Sequence, residues 1–210
     1  MPRIGIDFDN TIIDYSDIFT KQACHLGWIK DKCKKTKQQV RDIVRTLPDG
    51  EMKWKKLQGL AYGKFIHDAN PFEGVMEFIK RCRLERVDVF IISQKTEYAE
   101  SLEEKINLRE AAFNWLKAKG FLNSKELGLD KSKIFFEHSR EGKLNHIHQL
   151  QCTHFIDDLE EVFAEPQFQR DVIKILFSPR GEYGGDKSLI SCRDWNVIEE
   201  LVFSHECFSK

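Results

Sequence analysis

Hydrophobic and polar positions along the chain fall into two kinds of pattern, short β-branched runs and longer helical repeats. Apolar runs that predict buried strands lie at residues 4–6, 87–92, 134–136, 153–156 and 172–177. Helical patterns at 75–82, 95–105, 108–120, 143–150 and 195–203 separate or follow them. Because strands and helices alternate, the pattern predicts an α/β fold built on a doubly wound parallel sheet.

Residues 16–70 break this alternation, since they contain helical patterns and no predicted strand. Helices are expected at 17–26, 37–47 and 51–66, in a stretch rich in lysine that also holds Trp28 and Trp54. The sequence therefore predicts two parts. A sheet domain comprises residues 1–15 and 71–210, and a small all-helical insertion comprises residues 16–70.

Composition narrows the range of functions. The 210 residues carry 33 basic and 34 acidic side chains, a net charge of −1, so no nucleic-acid or membrane partner is expected from bulk electrostatics. We also expect no signal peptide and no membrane helix, since no apolar run approaches about 18 residues. Six widely spaced cysteines without a Cys-x-x-Cys pair argue against a zinc site or disulfide framework and favour the reducing cytoplasm.

The first apolar run ends abruptly in carboxylates. Asp7 comes where a strand through Ile4 and Ile6 would reach its carboxyl end, the edge at which open α/β sheets bind ligands. In an extended chain, the side chain of Asp9, two residues later, points to the same side as that of Asp7. Two carboxylates this close favour a cation between them, and Mg²⁺ prefers oxygen ligands. The alternative is an ordinary strand followed by a turn, with Asn10 and Thr11 capping the next segment.

Four short motifs resemble those of the haloacid dehalogenase (HAD) superfamily of phosphohydrolases. The run Ile-Asp-Phe-Asp-Asn-Thr-Ile at residues 6–12 is similar to its first motif, Asp-x-Asp-x-Thr after an apolar strand. Ser93 at a strand end resembles the second motif, Lys143 at a helix start the third, and the pair Asp157-Asp158 after a strand the fourth. The motifs occur in the expected order, and the resemblance implies a HAD-like Rossmannoid sheet with residues 16–70 as its cap.

The residues of the three later motifs can also be explained by structural roles that involve no catalysis. Many strands end in serine for turn chemistry, which would account for Ser93. Lys143 could be a surface lysine, and one of the acidic pair could cap a helix over residues 159–164. Glu160 and Glu161 stand where many relatives place a further aspartate, so the resemblance leaves support for the metal open at that point.

The resemblance implies a Mg²⁺-dependent phosphatase that acts on a small phosphate ester, a sugar phosphate being one candidate. Asp7 would be the nucleophile and Asp9 the acid and base, with Ser93 and Lys143 completing the catalytic set. The expected substrate-binding residues are Ser93, Lys143 and Asn10. Mg²⁺ would be held by Asp7, the main-chain carbonyl of Asp9 and Asp158, with Asp157 acting directly or through water. Relatives that dehalogenate or cleave C–P bonds lack an acid at the position of Asp9.

Two alternative functions remain open. A nucleotidase would need the helical insertion to stack a base, and Trp28 and Trp54 are the candidates for that contact. A non-catalytic binding or regulatory protein with the same fold is the alternative of another class. The complete set of Asp, Ser and Lys residues in the four motifs argues against this last possibility.

Overall fold

The computed structural model of the protein describes residues 2–30, 35–99, 102, 104–181, 185–186 and 188–204. It contains a parallel six-stranded sheet whose strands, in chain order, are β1 (Arg3–Ile6), β4 (Asp88–Gln94), β5 (Ile134–Glu137), β6 (His154–Asp157), β7 (Ile173–Phe177) and β8 (Ile190–Cys192). The strands β2 (Ile13–Asp14) and β3 (Asn70–Pro71) form a separate two-stranded ribbon. The predicted α/β class and parallel sheet are confirmed.

The order of strands across the sheet is β5-β4-β1-β6-β7-β8. The strands that begin near residues 3, 87 and 153 are therefore neighbours at the centre, as the HAD resemblance implied. The sixth strand, β8, was not predicted from the sequence. It has only three residues, and two of them, Ile190 and Ser191, are exposed at the edge of the sheet, so it lacks the apolar run that marks a buried strand.

The helices of the main domain lie on the two faces of the sheet. They are α4 (Val75–Leu84), α6 (Arg140–Gln149), α7 (Glu160–Phe163) and α8 (Trp195–Phe203). Leu144 and Ile147 of α6 join one core cluster with Phe90 and Ile92 of β4, whereas the alternate residues of β4 face the opposite side. On the other helices, Phe78 of α4 packs against Trp195 of α8 with ring centroids 5.2 Å apart.

The chain divides into two compact units. The sheet unit comprises Met1–Ile12, Pro71–Gln94 and Gly120–Lys210, and the helical unit comprises Ile13–Asn70 and Lys95–Lys119. The helical unit holds α1 (Ser16–His25), α2 (Lys37–Arg45), α3 (Gly50–Gly59) and α5 (Leu108–Ala118). Among the described residues, no helix is both long and apolar enough to cross a membrane.

The helical unit differs from the predicted insertion in two respects. The expected third helix over 51–66 ends at Gly59, after which Leu60–Lys64 form a π-helical turn and Ile66–Asp68 a 3-10 turn. The unit also contains residues 95–119, which the sequence analysis assigned to the sheet domain. The reason is α5, which packs on these turns, and its Trp115 donates an indole hydrogen bond to the carbonyl of Ala69 at 3.0 Å.

The prediction of a helix over residues 95–105 was wrong, as far as the structure describes this stretch. Residues 100, 101 and 103 lie outside the described residues, and the rest of the stretch is non-helical. The carbonyl of Glu97 accepts from the amide of Leu108, and the carbonyl of Lys95 accepts from the Arg109 side chain. Acceptors that a helix would use locally are therefore taken by the start of α5.

Gly5 gives a test of the central packing. A Cβ atom at this position of β1 would lie 2.6 Å from Cδ2 of Phe155 on the neighbouring strand. Gly5→Ala should therefore lower the free energy of unfolding by about 1–3 kcal/mol through overpacking. Urea denaturation of Gly5→Ala, Phe155→Leu and the double variant measures the coupling. The alanine should cost less in the Phe155→Leu background; strictly additive costs would contradict this reading of the contact.

Candidate active site

The register of β1 and β6 brings two acidic residues side by side. Ile6 pairs with Ile156, and the amide of Asp7 donates to the carbonyl of Ile156 at 2.9 Å. Asp7, which directly follows β1, and Asp157, the last residue of β6, therefore lie at the same level of two neighbouring strands, which are about 4.8 Å apart. Both residues are buried, with exposures of 5% and 0%. Two carboxylates in such a place require compensating positive charge.

Lys143 supplies part of that charge. Its Nζ lies 2.6 Å from Oδ1 of Asp7 and 2.5 Å from Oδ2 of Asp157, and its side chain is buried between them. The same ammonium lies 5.3 Å from the centre of the Phe155 ring, within the range of a cation–π contact. Lys143 is thus not a surface lysine but the centre of a buried charge cluster.

The position of Lys143 depends on how α6 is anchored. The helix begins at Arg140, three residues before the predicted start, and the Ser139 hydroxyl caps it by accepting from the amide of Gly142. His146 and Glu137 at the end of β5 lie 2.9 Å apart as an ion pair when the imidazole is protonated. On the opposite side Leu144 enters the core. These contacts fix the turn that carries Lys143.

Burial and the attraction between Lys143 and the carboxylates have opposite effects on the pKa values of Asp7 and Lys143. Burial, which disfavours the carboxylate, raises the pKa of Asp7 to about 7; Lys143 counteracts this rise, and Asp157 and Asp9 add to it. For Lys143, burial by itself would lower the pKa, but Asp157 and Asp7 outweigh it and hold the pKa above its usual range. The lysine is therefore always charged, and one cation does not fully neutralise its acidic neighbours.

The remaining negative charge suits a divalent metal ion. Asp7, Asp157 and Asp158 each offer a carboxylate oxygen, and these atoms lie within 4.8 Å of one another. When all three are ionised, Lys143 leaves the cluster with a net charge of −2. Hard oxygen donors of this kind are what Mg²⁺ prefers. Both oxygens of Asp157 already have partners, since Oδ2 faces Lys143 and Oδ1 accepts from the amide of Leu159 at 3.1 Å.

The loop after β1 carries the remaining residues of the first motif. Phe8 is fully buried and packs edge-on against Phe136, as the alternation of side chains predicts. Asp9 is partly exposed and near enough to raise the pKa of Asp7. Asn10 has a φ of 62°, a left-handed conformation that asparagine tolerates better than most residues, so its backbone role is to turn the chain.

Two buried hydroxyls near this edge lack partners. Ser93 is 1% exposed, and within the described part of the chain its Oγ has no hydrogen-bond partner; the same holds for Oγ1 of the fully buried Thr11. An unsatisfied buried polar group costs stability, so each one suggests a ligand or water. In the sequence, Thr11 was part of the first motif and a possible capping residue, but it was not among the predicted binding residues. Its position two residues after Asp9 was the available signal.

One tryptophan proposed as a base-stacking platform cannot have that role. Trp54 is 4% exposed and stacks on Phe19 inside the helical unit, with ring centroids 5.1 Å apart. Its indole is part of the apolar core formed where α1 and α3 pack. Trp28 is partly exposed. The nucleotidase alternative therefore loses one of its two candidate contacts.

The raised pKa of Asp7 predicts a pH-dependent stability difference. In the absence of divalent cations, Asp7 of the folded protein keeps its proton up to a pH of about 7, the value to which its pKa is raised. In the unfolded chain Asp7 loses this proton near its ordinary pKa of 3.8. Stability should therefore fall as pH rises through this window, and Asp7→Asn should remove that loss. In EDTA, the stabilisation of Asp7→Asn over wild type should grow from pH 4 to 7 and then level off. Chemical denaturation across this range measures it, and a constant difference would contradict the assignment.

Comparison with known proteins adds information on the fold. No protein family model matches the sequence, and no curated protein matches it. Solved structures do match along nearly the whole chain. A HAD hydrolase of family IA, variant 3, from Entamoeba histolytica has a TM-score of 0.59 and 13% identity, with 96% of this chain and 98% of that chain covered.

Two further structures agree with the first. A phosphoserine phosphohydrolase-like protein from Francisella tularensis has a TM-score of 0.57 and 12% identity, covering 96% of this chain and 100% of that one. A putative HAD-hydrolase from Bacillus subtilis bound to magnesium has a TM-score of 0.56 and 11% identity, covering 96% and 98%. The fold, its central strands and the edge that carries the acidic cluster thus lead to one conclusion: this chain has the fold of the HAD-superfamily hydrolases.

Proposed function

We propose that this protein is a Mg²⁺-dependent phosphatase that hydrolyses a small phosphate monoester through an aspartyl-phosphate on Asp7. The observation that carries the proposal is the buried cluster in which Lys143 lies between Asp7 and Asp157 at the carboxyl edge of the sheet. A structural ion pair would need one carboxylate. A cluster with surplus negative charge is suited to a metal ion and a phosphoryl group together.

The proposed reaction has two steps. An oxygen of Asp7 attacks phosphorus while the bond to the leaving oxygen breaks, and Asp9 gives its proton to that oxygen. Asp9 then accepts a proton from water as the water oxygen attacks phosphorus, which releases inorganic phosphate and restores the Asp7 carboxylate. Lys143 favours the carboxylate form of Asp7 before the attack and attracts the phosphoryl oxygens in both steps. The partial exposure of Asp9 is consistent with contact to a leaving group and to water.

The metal would be held by Asp7 and Asp158, with the main-chain carbonyl of Asp9 as a further ligand. Asp157 would act mainly by orienting Lys143, because both of its oxygens are engaged by Lys143 and Leu159. When bound, Mg²⁺ would neutralise charge on the phosphoryl oxygens and lower the pKa of Asp7. The resemblance implies that Asp158 is the direct ligand of the pair, and the two hydrogen bonds of Asp157 are consistent with this role.

The unpartnered hydroxyl of Ser93 would donate a hydrogen bond to a phosphoryl oxygen, and Thr11 is a second donor of the same kind. Each hydroxyl would then gain the partner that it lacks, so phosphate binding would offset the cost of burying it. Asn10 would contribute to substrate binding through the turn that it forms. Small phosphorylated metabolites, sugar phosphates among them, are the substrate class that we propose.

Asp7→Asn should abolish turnover, because an amide is a poor nucleophile and a poor metal ligand. We expect the Mg²⁺-dependent hydrolysis of p-nitrophenyl phosphate to fall by roughly 10³-fold or more. Asp171→Asn, an exposed change in the same unit, is the matched control and should retain wild-type activity. If Asp7→Asn kept a tenth of the wild-type rate, Asp7 would not be the nucleophile. If the wild type itself showed no phosphatase activity on a broad panel of esters, the non-catalytic alternative would gain support.

Asp9→Asn should lower the rate by about 10²–10⁴-fold, and most for poor leaving groups that need a proton. The values of kcat/KM for a series of aryl and alkyl phosphates, plotted against the pKa of the leaving alcohol, measure this dependence, because kcat/KM reports the first step even where the second step limits turnover. The variant should give a steeper slope than the wild type. Equal losses for activated and unactivated esters would exclude Asp9 as the proton donor.

A further inference from the structure

The sheet unit has a cavity that the proposed phosphatase reaction does not use. It has a volume of about 300 Å³ and lies at the amino-terminal end of β4, where Arg83, Arg86 and Lys133 line it. We propose that this cavity, the basic cavity, binds a small molecule that carries a phosphate or carboxylate group on an apolar body. The proposal does not depend on the phosphatase activity.

The basic cavity is separate from the acidic cluster. Its lining includes Asp88 and Val89 at the start of β4, whereas Ser93 lies near the end of the same strand. Five residues of extended chain span about 16 Å. Ligands of the two sites would therefore not touch, and the cavity is not an extension of the proposed substrate site.

The charges around the cavity are unbalanced. Lys133 forms an ion pair with Asp88, with Nζ 2.6 Å from Oδ1. Among the described residues, Arg83 and Arg86 have no carboxylate partner, so the lining carries a net charge of +2. Arg83 donates from Nη1 to the carbonyl of Glu126 at 2.6 Å, which fixes its guanidinium and leaves its other N–H groups for an anion.

Arg86 has a backbone conformation that glycine usually adopts. The amide of Val87 donates to the carbonyl of Cys82 at 2.8 Å, which closes α4 in the manner of a Schellman motif. The residue before Val87 then adopts the left-handed conformation, and Arg86 has a φ of 57°. Glycine is the usual residue at this position because a Cβ atom is strained there. The strained residue is also one that lines the cavity, and backbone strain of this kind is often found at ligand sites.

The apolar residues of the lining and the volume of the cavity indicate what the uncharged part of the ligand would be. Ile79, Leu127 and Leu129, which are buried, form an apolar floor, and the exposed Arg83 and Arg86 lie at its rim. A volume of about 300 Å³ is at the lower end of the range for small-molecule sites. The cavity therefore fits an anion of about the size of a substituted ring or short acyl chain rather than a bare inorganic ion.

Phenylphosphonate is a suitable probe, because it joins a phosphorus anion to an apolar ring through a bond that phosphatases of this kind do not hydrolyse. Calorimetry in EDTA on the full chain should detect binding, and amide shifts in ¹H–¹⁵N spectra should centre on Val87 and Gly128. Arg83→Gln and Arg86→Gly should each weaken binding about tenfold or more, as expected for the loss of a charged hydrogen bond. Lys80→Gln, which removes an exposed charge from the same helix outside the lining, should change it by less than about twofold.

Arg86→Gly also separates a ligand-binding role from a structural one. Glycine relieves the left-handed strain, so this variant should melt at or above the wild-type temperature while its affinity falls. The proposal would be overturned if phenylphosphonate did not bind, or if Arg83→Gln and Arg86→Gly bound it as well as Lys80→Gln. It would also be overturned if shifts centred on Ser93 and Lys143 and left Val87 and Gly128 unmoved.

Discussion

The structure depends on one constraint, the burial of two carboxylates at the same level of adjacent parallel strands. The register of β1 and β6 brings Asp7 and Asp157 together in a place where water cannot screen their repulsion. Lys143 between them relieves part of that repulsion, and a divalent cation at Asp7 and Asp158 would relieve the rest. The cap of α6 by Ser139 and the 2.9 Å contact between Glu137 and His146 serve this arrangement, because they fix the turn that carries the lysine.

Much of the fold followed from local patterns. The central strands were predictable because each is a buried apolar run, and parallel strands buried on both faces carry a strong hydrophobic signal. The edge strand β8 was missed because two of its three residues are exposed, so it carries almost no hydrophobic signal. The stretch after Ser93 was wrongly predicted as a helix because its carbonyls bond to the start of α5, a pairing that helical propensity cannot reveal.

For the candidate site too, some features could be predicted from the sequence and others could not. The spacing of Asp7 and Asp9 and the acids at 157 and 158 were visible in the sequence because they follow strands. Lys143 was ambiguous there, since a helix places a lysine on its buried or exposed side according to packing alone, and only its contacts with two buried acids decide. The engagement of both Asp157 oxygens was likewise beyond sequence reasoning, as was the isolation of the Ser93 hydroxyl. Trp54 was a candidate for base stacking only in the nucleotidase alternative, and its stacking on Phe19 agrees with the simpler expectation that it packs beneath the helices.

The central claim is that Asp7 becomes covalently phosphorylated, and trapping that species tests it most directly. In Asp9→Asn the first step on an activated ester such as p-nitrophenyl phosphate needs no proton donor, whereas the second step lacks its base, so the intermediate should accumulate. Acid quenching after mixing with Mg²⁺ and the ester, followed by peptide mapping, should find one phosphoryl group on the peptide that contains Asp7, labile to hydroxylamine as acyl phosphates are. Phosphate release without any label on Asp7, or a label on a different residue, would contradict the account.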